Sequence, residues 1–252
     1  MIFLTPLDQF QILSLVSFKI FWLDFSFTNS ALISIIALIF FVKLIDYISA
    51  SDGTFYIIPN SWQILIEIIY DTVSQLLFDN LGLKGEKYFP FVSVLFTFIL
   101  LLNLIGLIPY SFTVTSHLLV TFMLALTVFI GVNIICWQEH KFHMISLFIP
   151  SNTSFFLALL LVPIEFVSYM FKPISLGVRL FANMMAGHTL LKVIAGFAWS
   201  MMSAGGVLFL AHIVPLFVLV LLVGLELGVA LIQAYVFTIL TCIYLNDSIN
   251  LH

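Results

Sequence analysis

The chain of 252 residues is 63% hydrophobic and 8% charged, with a formal net charge of −4 and a mean hydropathy of +1.23. Ordinary soluble domains carry roughly 25% charged residues, so no stretch here can coat a separate soluble domain, and residues 1–252 read as a single all-α polytopic membrane domain. The acidic balance argues against nucleic acid as a partner, and Cys136 and Cys242, both in apolar context, form neither a disulfide nor a zinc pattern.

In chain order, the first thirty residues lack a basic n-region and a small-residue cleavage site, so no signal peptide is expected. A first span is expected over 30–48, with Lys43 and Asp46 marking an interface. Over 60–82, Trp62, Leu65, Ile66, Ile69, Val73, Leu76 and Leu77 recur at helical spacing. Gln63, Glu67, Asp71, Ser74 and Asp79 take the other face, and Asn60 is the expected N-cap. That pattern is an amphipathic interfacial helix. Its polar face is acidic, which favours a protein neighbour over anionic lipid as its partner.

Residues 88–109 and 115–138 then read as a hairpin of two spans, with Pro90 in the first turn of the former. A polar patch, Glu139-His140-Lys141-Phe142-His143, follows; its two histidines have no third ligand and read as loop residues. Residues 153–200 fit either two helices split at Lys172-Pro173 or one long helix that is tilted or nearly flat. A single helix here would be about 70 Å long, against a hydrocarbon core of roughly 30 Å. Gly205-Gly206 makes a turn, and 206–246 is another overlong apolar run. The whole is five membrane-embedded helices, the last two a long antiparallel hairpin, plus the interfacial helix. Lys43, Lys84, Lys87 and Lys141 fall on one side and Lys19 on the other. The positive-inside rule then puts the N-terminus outside and the C-terminus inside.

Arg179 is the only arginine. At the centre of a membrane helix an arginine costs about 2.5–3.5 kcal/mol on insertion scales, and it cannot escape by losing its proton. Such a charge is kept when something negative must meet it. Folding the last two helices at Gly205-Gly206 brings polar residues level with one another: His188 with Glu226, Arg179 with Gln233, and Glu165 with Asp247, while Asn183 falls one turn from Glu226. Glu165 lies roughly 21 Å before Arg179 along the helix axis and His188 roughly 13 Å after it. Glu165, Lys172 and Arg179 share one stripe, and His188 points about 180° away from Arg179. Two polar half-paths separated by a fixed cation suit an ion translocator that must not leak.

Blander readings stand beside these. Gln233 fits an interhelical hydrogen bond, Asp247 a solvated chain end, and Lys172 and Lys192 snorkelling side chains. Gly177, Ala182, Ala186 and Gly187 allow close helix approach, within the chain or to a partner.

Pro173-Ile-Ser-Leu-Gly-Val-Arg179-Leu-Phe-Ala-Asn183-Met-Met-Ala-Gly-His188 resembles the signature of subunit a of the F-type ATP synthase membrane sector. So do Asn103-Leu-Ile-Gly106-Leu-Ile-Pro109-Tyr-Ser-Phe, Glu226-Leu-Gly-Val-Ala-Leu-Ile-Gln233-Ala-Tyr-Val-Phe and Pro6-Leu-Asp-Gln-Phe10. His188 with Glu226 is similar to the mitochondrial pattern, and the abundance of Phe with a single Arg fits an AT-rich, organelle-type genome.

The resemblance implies two long tilted helices against a rotating ring of c subunits, each carrying a buried carboxylate. Arg179 would face those carboxylates as a fixed stator charge, flanked by Asn183 and Gln233. His188 and Glu226 would line a half-channel from the intermembrane space, and Glu165 and Asp247 one to the matrix. It implies c-ring proteolipids, peripheral-stalk and other membrane-sector subunits and lipid as partners, and a multi-pass place in the mitochondrial inner membrane. No cofactor or metal is expected, nor a catalytic site of the chain's own.

The nearest rival is an antiporter-like proton channel subunit of a respiratory complex, which is expected to use Lys–Glu chains rather than one Arg. A secondary transporter would show two related halves, and an intramembrane metallohydrolase a motif such as H-E-x-x-H.

Overall fold

A computed structural model describes residues 8–20, 23–49, 60–108, 111–141 and 155–249. Pro6, Pro109, Tyr110, His143 and Thr153, to which the sequence assigned roles or boundaries, lie outside these residues. The molecule is built from helices: α1 (Asn29–Ser49), α2 (Ser61–Leu81), α3 (Phe89–Gly106), α4 (Leu118–His140), α5 (Phe155–Ala204), α6 (Val207–Ala211) and α7 (Ile213–Ile249). Four helical stretches are long and apolar enough to cross a membrane: those within Ser61–Gly106, Leu118–His140, Leu160–Ala204 and Phe209–Ile249. Asn29–Lys43 is a shorter apolar helix. The fold is an all-α polytopic membrane protein.

The N-terminal segment adds four short strands: β1 (Ser14–Val16), β2 (Lys19–Ile20), β3 (Leu23–Asp24) and β4 (Phe27–Thr28). β1 pairs antiparallel with β4, and β2 with β3. Asn29 joins this ribbon to the first helix. Its side chain accepts from the Leu13 and Ser30 amides at 3.3 and 2.9 Å and donates to the Gln11 carbonyl at 3.2 Å.

Asn60 caps α2, its Oδ1 accepting from the Ser61 amide at 2.8 Å. Val73, Leu76 and Leu77 are buried, as their spacing predicts, but Trp62 and Leu65 are exposed and Gln63 is buried. The first half of α2 is apolar almost all round, with Ile64 and Ile68 beside Trp62, Leu65, Ile66 and Ile69 of the predicted stripe. A helix of that kind belongs in surroundings other than water on more than one side. Gly82 ends α2 with φ +61°, and its amide bonds back to the Phe78 carbonyl. Gly85 lets the following turn fold onto α2, since a Cβ there would meet the Leu81 Cβ at 2.9 Å.

α5 runs unbroken for 50 residues through Pro163 and Pro173, about 75 Å at 1.5 Å per residue. The alternative of two helices divided at Lys172-Pro173 is therefore not adopted. Gly205 and Gly206, at φ +71° and +65°, reverse the chain in a conformation that suits residues without Cβ. The following run is interrupted at His212. Pro215 accounts for the break: it has no amide to give the Ala211 carbonyl and its ring crowds that turn.

The chain divides into two compact units, Met1–Phe55 with Phe98–His117 and Phe181–Ala234, and Tyr56–Thr97 with Leu118–Leu180 and Tyr235–His252. Ile99, Leu102, Asn103, Val114, Met184, Ala230 and Ala234 are buried in the first, and Val73, Val92, Val132, Leu176, Leu180, Phe237 and Leu245 in the second. Within the second, α4 and α5 touch backbone to backbone at Gly177, where a Cβ would lie 3.0 Å from the Phe122 Cα. Many large apolar side chains on α7 face outward, among them Phe217, Val220 and Leu221. In hydrocarbon that exposure carries no hydrophobic penalty.

Candidate proton-path residues

The first unit gathers polar groups from α3, α5 and α7. Asn183 donates to Gln233 Oε1 at 2.8 Å, and Gln233 is otherwise buried. Glu226 is 8% exposed. Its carboxylate lies against Gly187, the neighbour of His188, where an added Cβ would meet Glu226 Oε1 and would stand 2.9 Å from its Cδ. Glu226, Ala230 and Gln233 share one face of α7, and Asn103 of α3 docks on that face by donating to the Ala230 carbonyl at 3.3 Å. Among the described residues, Glu226 Oε1 and Oε2, His188 Nε2, Gln233 Nε2, Asn103 Oδ1 and Thr115 Oγ1 are buried without a hydrogen-bond partner. Buried polar atoms are normally satisfied by protein or ordered water. His117 stacks on Phe112 with ring centroids 4.9 Å apart, and burial pushes its imidazole below the ordinary histidine value.

The second unit holds the other polar set. Lys172 donates to Asp247 Oδ2 at 3.1 Å, and its ammonium stands over the rings of Tyr169 at 5.3 Å and Tyr244 at 4.8 Å. Tyr169 donates to Asn133 Oδ1 at 2.5 Å. The sequence pattern made Lys172 a snorkelling residue and set Asp247 level with Glu165. The observed partner of Asp247 is Lys172, seven residues further along, because a lysine offers a carboxylate a counter-charge and a second carboxylate does not. Glu165 is half-buried and makes no ion pair with the described residues. Arg179 is exposed, and no carboxylate of the described residues lies within 4 Å of its guanidinium. A permanent cation thus stands on the open side of an apolar helix.

Residues 30–246 match the family model described as ATP synthase A chain. The chain belongs to that family. The ATP synthase subunit a of Pylaiella littoralis is 60% identical over 250 residues, covering 99% of this chain and all of that one. Those of Chondrus crispus and Marchantia polymorpha are 52% and 48% identical, each over 98% of this chain and 97% and 99% of their own. The match sets aside the antiporter-like alternative.

Sequence reasoning missed Asn103, Asn133, Tyr169 and Tyr244 as members of these sets. Asn103 had a readable signal, an amide inside an apolar run. The tyrosines had none, since tyrosine is common where an apolar helix meets polar surroundings.

Proposed function

We propose that the chain is the proton-translocating stator subunit of a mitochondrial ATP synthase, multi-pass in the inner membrane. In this reading Arg179 faces the carboxylates of a rotating ring of c subunits. The observation that carries it is the exposed guanidinium of Arg179 on an apolar helix, with no carboxylate among the described residues to neutralise it. A cation so costly in lipid is retained for an anion supplied by another subunit. His188 and Glu226 line the half-path from the intermembrane space, and Asn183 and Gln233 flank Arg179. Glu165 and Asp247 line the half-path to the matrix. The peripheral stalk, other membrane-sector subunits and lipid cover the remaining surface.

The energetics suit that task. Opposite charges 4 Å apart at an effective dielectric near 20 attract by about 4 kcal/mol. That holds a ring carboxylate ionised beside Arg179 yet lets a driven ring pull it away. Each proton brings about 2.3 kcal/mol per 100 mV. The same positive charge repels a proton that would otherwise pass straight from one half-path to the other.

The test is ATP-driven proton pumping in inverted vesicles carrying the whole enzyme, with ATP hydrolysis measured alongside. Arg179→Lys in assembled complexes is expected to abolish pumping, because an ammonium lacks the guanidinium fork and can lose its proton. Normal pumping by assembled Arg179→Lys enzyme would reduce Arg179 to a structural residue and overturn the half-path reading.

A further inference from the structure

We infer that Lys172 is a positioning residue of the inner proton exit, holding the Asp247 carboxylate against α5 through an ion pair seated between two tyrosine rings. The inference rests on the reading of Asp247 as a relay of the inner half-path. A snorkelling lysine directs its ammonium to water or headgroups and leaves only its stem on the protein. Lys172 does otherwise. Its side chain is 26% exposed, and its Nζ sits 3.1 Å from Asp247 Oδ2. The same nitrogen lies over the faces of Tyr169 and Tyr244 at 5.3 and 4.8 Å, the negative faces that attract a cation.

The seat is itself held. The Tyr169 hydroxyl is fixed to Asn133 on α4, and its ring packs on Phe129 with centroids 5.0 Å apart. A cavity of about 10 Å³ is lined by Phe129, Val132, Tyr169, Lys172, Tyr244 and Asp247, with Ser248 beside them. That is room for one water at most. The Asp247 side chain remains 45% exposed on its other side. One side of the carboxylate is thus gripped by protein and the other is open.

That arrangement fits a terminal relay. A proton arriving along the inner half-path forms an O–H bond on Asp247 as the bond to its donor breaks. The proton then passes to water on the inner side and the carboxylate is restored. Lys172 keeps its own protons throughout, so the step balances with no other reactant. What Lys172 contributes is a fixed position: without it the carboxylate is free to swing on its χ angles out of line with the path. Tyr169 and Tyr244 lie beside the pair. Glu165 and Arg179 stand seven residues before and after Lys172 on the same stripe of α5.

The experiment is a double-mutant cycle on the whole enzyme in inverted vesicles, reading ATP-driven pumping per assembled complex. Lys172→Met and Lys172→Gln are both expected to slow pumping about tenfold, less than the roughly hundredfold that a 1 Å misplacement can cost, because Asp247 itself remains. Lys172→Arg, which keeps the charge, is expected to stay within about twofold of wild type. In an Asp247→Asn background, Lys172→Met is expected to add less than about twofold.

Normal pumping by either uncharged variant with Asp247→Asn impaired would overturn the role of Lys172 and leave the half-path standing. So would equal losses from Lys172→Met in the presence and absence of Asp247, or failure of Lys172→Arg to restore pumping. Normal pumping by Asp247→Asn would overturn the relay reading itself, and this inference with it. If Lys172→Met does not assemble, Lys172→Gln, which keeps a polar side chain of similar reach, completes the cycle.

Discussion

At Gly187 the backbone of α5 comes so close to Glu226 that an alanine Cβ would stand 2.9 Å from its carboxylate carbon. Glycine is needed there for space, since the backbone has ordinary helical geometry. Gly187→Ala must push the far end of the Glu226 side chain aside, a shift that costs little in stability because that side chain is flexible but that moves its carboxylate. The expected result is assembled enzyme whose pumping falls about tenfold, measured per complex against wild type. Unchanged pumping would separate the position of Glu226 from the proton path.

Residues differ in how plainly they announce themselves. Arg179 and Glu226 stand out in the sequence because a charge inside an apolar run is costly to keep. Lys172 was misread because its ion-pair partner lies 75 positions away in sequence, and no local pattern reports a partner on another helix. Asn183 and Gln233 were legible as polar residues of facing helices but not as each other's partner, since an error of one turn in register changes every pairing.

Among the elements, α4 and α5 depend on a single missing side chain. A Cβ at Gly177 would lie 3.0 Å from the Phe122 Cα and 3.1 Å from the Thr121 carbonyl oxygen. Both are backbone atoms, so nothing there can rotate away. Gly177→Val is expected to force the helices apart at a cost of about 1–3 kcal/mol, read as a lower thermal midpoint of the detergent-solubilised enzyme and less assembled subunit. Gly177→Ala is expected to do the same more mildly. An unshifted midpoint for the valine variant would show that the helices separate without penalty. Helices were the most legible elements because long apolar runs leave little choice. The strands of the N-terminal segment were not, since two- and three-residue pairings carry no period. The break at His212 was signalled by Pro215, but a proline in an apolar helix is also tolerated, as Pro163 and Pro173 demonstrate in α5.

For the whole molecule, composition decides more than any residue. With 8% charged residues, the lysines become the main sequence signal for orientation. The expectation of an outer N-terminus and inner C-terminus can be checked with single cysteines at Lys19 and Lys141. A membrane-impermeant thiol reagent should modify Lys19→Cys only from the intermembrane side and Lys141→Cys only from the matrix side. The opposite sidedness would reverse the assignment of the two half-paths. The native Cys136 and Cys242 are 1% and 0% exposed, so they offer the reagent little competition.

Pro173 leaves one more mark on α5. Having no amide hydrogen, it cannot occupy the backbone acceptor one turn earlier, the carbonyl of Tyr169. The residue that seats Lys172 with its ring therefore receives at its carbonyl no hydrogen bond from Pro173, the donor that the helical ladder would otherwise supply. Such a carbonyl should vibrate at a frequency set by whatever does bond to it. A carbon-13, oxygen-18 label at Tyr169 alone would turn it into an infrared reporter. Its amide I band would respond to heavy water entering the inner half of the helix, while labelled carbonyls inside the ladder stayed still.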